Sequence, residues 1–109
     1  MKRLYTLLLA SAMLGCAPAP EATHIAVQGV EPAFAPYVNE YITYKGSGLD
    51  YNIPIHYGML AEATLGVCIR YTNNEREIQI SHLWDHLNTS EQLEVVAHEL
   101  GHCDLNLAH

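Results

Sequence analysis

The sequence predicts one small α+β domain, a short antiparallel or mixed sheet packed on an N-terminal helix and a C-terminal helix. Three observations predict it. Apolar residues recur at helical spacing from Phe34 to Ile42, alternate at strand spacing between Ile53 and Ser81, and return to helical spacing after Thr89. A chain of 109 residues supports one core of modest size. Apolar residues make up 50% and charged residues 16%, which excludes a disordered chain. A helical membrane span is excluded too, because no apolar run reaches the roughly 18 residues it needs.

The first element is a targeting segment. Met1-Lys2-Arg3 is a short basic start, and Leu4 to Leu14 is an apolar run of secretory length, so residues 1–15 read as a signal peptide. The run ends in Met13-Leu14-Gly15-Cys16, which resembles the lipobox of bacterial lipoproteins. That resemblance implies acylation of Cys16 (palmitate among the chains) as the mature N-terminus, and a lipid-anchored place in the bacterial cell envelope. The alternative is an ordinary signal cleaved near Ala17 or Ala19. Removing Lys2 and Arg3 takes the formal charge from −7 to −9, a surface that repels phosphate backbones, so nucleic acid is not an expected partner.

Residues 16–23 are rich in Pro and Ala without periodicity and read as an extended tether. The domain spans 24–109. It opens on a short strand near His24, Ile25 and Val27. Phe34, Tyr37, Val38, Tyr41 and Ile42 then form one helical face, with Pro36 suited to the first turn and Gly46 to the stop. Ile53 to Tyr57 and Gly66 to Thr72 read as strands, Asn73-Asn74 as a turn and Glu77 to Ser81 as a strand, so that Gly66 to Ser81 forms a hairpin. The polar residues of Glu77–Ser81 suggest an exposed edge, where an extended peptide could add as a further strand. Thr89 to Gln92 fits a capping box and opens a helix running to about Asp104. Cys68 and Cys103 are expected to be joined in an exported domain, the alternative being two buried thiols.

The last helix carries His98-Glu99-Leu100-Gly101-His102. Residues four apart share a helical face, so His98 and His102 can offer imidazole nitrogens to one Zn²⁺ ion. Glu99 stands beside the first ligand, where a carboxylate can take a proton from water activated by the metal. With seven His and nine Glu, chance places this pattern in about 4 of 100 such chains. The setting adds specificity, because Leu93, Val96, Ala97 and Leu100 supply the buried side of a capped helix. Gly101 costs about 1 kcal/mol relative to Ala in a helix, which suggests close backbone packing there. Asp104 points away from the two histidines. His109 is too far along a continuous helix to coordinate, so the chain must reverse for it to serve as third ligand, and Asn106 tolerates the left-handed conformation of such a turn.

Residues 98–109, His-Glu-Leu-Gly-His-Cys-Asp-Leu-Asn-Leu-Ala-His, resemble the active-site segment of small zinc metallopeptidases of bacterial and phage genomes, many of them lipoproteins. Gly66-Val67-Cys68, Ile78-Gln79-Ile80 and Trp84 occupy that pattern's preceding strands and tryptophan. The resemblance implies a minimal zincin-like fold, His98, His102 and His109 as metal ligands, Glu99 as catalytic base, and a peptide or protein substrate. Metzincins are more distant, since their Gly and third His fall where this chain has Leu105 and Ala108. The chain stops at His109, so the domain reads as either a minimal version or a truncated one. A lipoprotein that holds zinc without hydrolysis is the alternative function. His82 and His86 read as a solvated helical turn rather than a second metal site, and His24 and His56 as surface or strand residues.

Overall fold

A computed structural model describes residues 29–108, so the signal peptide, the tether with Cys16, the strand at His24–Val27 and His109 lie outside the described residues. Helix α1 spans Ala35–Lys45 with Pro36 in its first turn. It stops at Gly46, whose φ of 85° lets its N–H reach back to Ile42 O at 2.8 Å. Phe34, Val38 and Ile42 are buried and Tyr37 and Tyr41 pack beside them, as the apolar spacing predicts.

Three strands follow: β1 (Ile55–Tyr57), β2 (Gly66–Arg70) and β3 (Arg76–Ile80). Their order in the sheet is β1-β3-β2, with β1 parallel and β2 antiparallel to β3. The expected hairpin is present. The expected edge is not, because β3 is the central strand. Ile78 pairs with Ile55 on one side and Cys68 on the other, so two neighbours bury both isoleucines of β3. Alternating polarity reports which face of a strand is covered, not whether the strand lies at an edge of the sheet.

A 3-10 turn, His82–His86, leads into helix α2 (Thr89–Asp104). Its capping box begins one residue earlier than expected. The Asn88 side chain accepts from Glu91 N at 2.8 Å, and Glu91 Oε1 accepts from Asn88 N at 3.1 Å. Asn is a stronger N-cap than Thr, which decides the frame.

Cys103 is bonded to Cys68, with 5.6 Å between Cα atoms, and this joins α2 to β2. Cys68 pairs with Ile78, so α2 covers the sheet face that bears Arg76, Ile78 and Ile80. Phe34, Val38 and Ile42 of α1 enter the same core as Ile78, Ile80, Val96 and Leu100. Trp84 closes it from the side, its ring 4.8 Å from Phe34 and its Nε1 donating to Gln92 O. The molecule is thus a compact α+β domain of two helices on a small mixed sheet. Among the described residues no helix is long and apolar enough to cross a membrane.

Candidate metal centre

Helical spacing sets the first two donors. His98 and His102 sit one turn apart on α2, and their Nε2 atoms face each other at 3.2 Å with the rings at 83°. His98 is exposed and His102 is buried. The Nδ1 of His102 lies 2.8 Å from Leu107 O. A carbonyl oxygen can only accept, so Nδ1 is the ring nitrogen that donates to it, and Nε2 is the one turned toward His98.

That carbonyl is in place because the chain reverses after α2. Asn106 takes a φ of 60°, the left-handed conformation expected of it, and Leu107 N donates back to Gly101 O at 3.1 Å. Arg76 holds the turn. One guanidinium nitrogen donates to Cys103 O at 2.7 Å and to Asn106 Oδ1, another to Asn74 Oδ1, and the guanidinium lies over the Tyr51 ring. A cation at the last carbonyls of a helix also suits the macrodipole. The sequence reading passed over Arg76, although it shares strand phase with Ile78 and Ile80 and so points inward.

Glu99 is 6% exposed, and its Oε1 is buried with no hydrogen-bond partner among the described residues. Strand β2 passes close over it. A Cβ built on Gly66 would lie 3.1 Å from Glu99 Cγ and 3.1 Å from Ile80 Cδ1. Gly66 therefore lets the strand approach the carboxylate, and a glycine at a strand end was the available signal. Gly101 differs from expectation. A Cβ there would meet only Leu107 Cδ1 at 3.5 Å, an ordinary contact, so tight packing does not require glycine at 101.

No family model, curated protein or solved structure matches the chain. The donor chemistry therefore has to stand on geometry. Two nitrogens held at about 2.0–2.1 Å by one tetrahedral zinc ion lie about 3.3 Å apart, close to the spacing of His98 and His102. Glu99 lines the same cavity as His98, and its buried carboxylate oxygen, without a hydrogen-bond partner among the described residues, suits a water molecule there. Among the described residues no group of three His, Cys, Asp or Glu side chains converges on one point. His109, the expected third ligand, lies outside them.

The remaining candidates fall away from this centre. Asp104 is buried against α1, bonded to Lys45 Nζ at 2.8 Å, Tyr41 Oη at 2.9 Å and Asp50 N at 2.7 Å. Burial and the Asp104 carboxylate push the Tyr41 hydroxyl up. Burial opposes the Lys45 ammonium, but Asp104 holds its pKa above the ordinary value. His82 stacks on Tyr57 with centroids 4.0 Å apart and shares Asp85 with the Tyr57 hydroxyl, while His86 is exposed on the same turn. His56 on β1 contacts Glu77 at 2.7 Å, and that bond together with Tyr57 O raises its pKa.

Proposed function

We propose that the protein is a zinc metallopeptidase of zincin-like fold, exported and anchored by lipid at Cys16. The observation that carries this reading is the pair of Nε2 atoms 3.2 Å apart, on the helix turn that also bears Glu99, whose Oε1 is buried without a hydrogen-bond partner among the described residues. His98 and His102 would hold zinc, and His109, once the chain reverses at Asn106, is the proposed third ligand. When bound, zinc supplies Lewis acidity, which acidifies water and polarises a peptide carbonyl. Glu99 accepts the proton from that water and delivers it to the departing amine. Burial keeps its carboxylate out of competing hydrogen bonds with solvent. The Leu107 carbonyl fixes the tautomer and orientation of His102, and Arg76 fixes the turn that presents that carbonyl.

The substrate would lie along the free edge of β2. This strand passes over Glu99 and, among the described residues, is paired with β3 on one side only, which suits addition of an extended peptide. A second reading is a lipoprotein that binds zinc without hydrolysis, since the facing Nε2 pair bears on metal binding and not on cleavage. Glu99→Gln separates the two. The variant is expected to bind zinc with unchanged stoichiometry and to lose cleavage of a peptide library by a factor of about 100 or more. A wild-type protein that binds zinc and cleaves no peptide would leave the binding module as the function.

A further inference from the structure

Beside Glu99 lies a cavity of about 450 Å³, lined by Ala63, Leu65 and Gly66 on one side and by Leu87 and α2 on the other. The α2 residues lining it are Glu91, Glu94, Val95, His98 and Glu99. Glu91, Glu94, Val95 and His98 recur at the spacing of one helical face, so the cavity continues the face that carries the first metal donor. Its volume is ample for one side chain of a peptide together with the solvent around it. Among the described residues no Lys or Arg lines it, whereas three carboxylates do.

Those carboxylates are arranged by depth. Glu99 is at the inner end, buried, with an oxygen that has no partner. Glu94 lies one turn upstream of His98 and is exposed, with no hydrogen bond or ion pair among the described residues. Glu91 stands a further turn out, steadied by its bond to Asn88 N. Glu94 and His98 are about 6 Å apart along the helix, and Leu65, Leu87 and Val95 supply apolar wall. An aliphatic stem with a cationic head matches that sequence of surfaces, because Lys and Arg lay their methylenes on apolar surface and keep the charge at a polar rim.

We propose that this cavity is a side-chain subsite for lysine or arginine, and that the enzyme cleaves peptides next to a basic residue. This inference rests on the metallopeptidase reading, which it sharpens to a substrate class. Glu94 selects the cation at the rim and Glu91 reinforces it, while Glu99 is left to the water.

The test uses the full-length zinc-loaded protein and a synthetic peptide library, with cut sites mapped by mass spectrometry. One position beside the scissile bond is expected to show Lys and Arg about fivefold above neutral residues, and Glu94→Lys is expected to reverse that preference toward Asp and Glu. Cleavage with no basic preference, or a preference unchanged in Glu94→Lys, overturns the subsite and leaves the peptidase standing. A second readout needs no turnover. Glu99→Gln protein should bind a lysine pentapeptide about fivefold more tightly than its norleucine counterpart at low salt, and adding Glu94→Gln should bring that ratio to about one. If wild-type protein cleaves nothing, the peptidase reading fails. The pentapeptide ratio then still decides the cation site, and equal binding of the two peptides overturns it.

Discussion

The contact between Gly66 and Glu99 makes a sharp demand on one residue. A methyl group at 66 would crowd Glu99 Cγ and Ile80 Cδ1 at once; Ile80 is fully buried, whereas Glu99 borders the cavity. The less costly adjustment is a shift of the carboxylate by a few tenths of an ångström. Gly66→Ala is therefore expected to keep the fold and the zinc stoichiometry while lowering kcat/KM about tenfold, because misplacement of a catalytic base on that scale is costly. Steady-state kinetics together with metal analysis checks it, and a full loss of zinc would place the role of Gly66 in folding instead. Gly101 is the contrast. It is a glycine within a helix, yet the structure leaves room for a methyl group there.

At the scale of elements, the C-terminal end of α2 is held from three sides: the disulfide to β2, Lys45 of α1 on Asp104, and Arg76 of β3 on Cys103 O and Asn106. Arg76 is 6% exposed, and its polar partners are carbonyl and amide oxygens. Arg76→Met would take this donor from the Cys103 carbonyl and leave the Asn106 amide oxygen to Arg70 and solvent, loosening the turn that supports His102. The expected cost is about 2–4 kcal/mol of stability and about a tenfold loss of zinc affinity. Denaturant titration and competition with a chromophoric chelator measure the two separately. Much of this element structure was legible in the residues. The stripe of Phe34, Val38 and Ile42 gave α1, the alternation of Ile78 and Ile80 gave β3, and the left-handed tolerance of Asn106 gave the turn. What escaped depends on pairing across the chain. Nothing local says that β3 accepts β1 in parallel on its second side, or that Arg76 finds its partners roughly thirty residues away. Nothing local marks Glu91 and Glu94 as bordering a cavity, because its opposite wall, Leu65 and Gly66, comes from a distant part of the chain.

For the whole molecule the disulfide matters most, because a domain of this size has a limited core. Cys68 and Cys103 are 35 residues apart in sequence, and their bond restricts the unfolded chain as well as fastening α2. The double variant Cys68→Ala/Cys103→Ala is expected to lose about 2–4 kcal/mol, read as a lower urea midpoint, with wild-type protein in reductant showing a shift of the same size. The order of the sheet carries a different consequence. β1 and β2 are not neighbours, so the connection over residues 58–65 crosses the end of β3, fixed at its two ends by Gly58 N on Ile80 O and Ser81 N on Leu65 O. Between those anchors Met59 is fully exposed, and Ala63, at a φ of 70°, lines the cavity. Residues can be gained or lost there without moving any strand out of register. The molecule thus separates what it must keep, the clasp of α2 on β2 and β3, from what it can vary. The wall of the cavity can be reshaped by the length of one surface loop while the helix turn that bears His98, Glu99 and His102 stays in place.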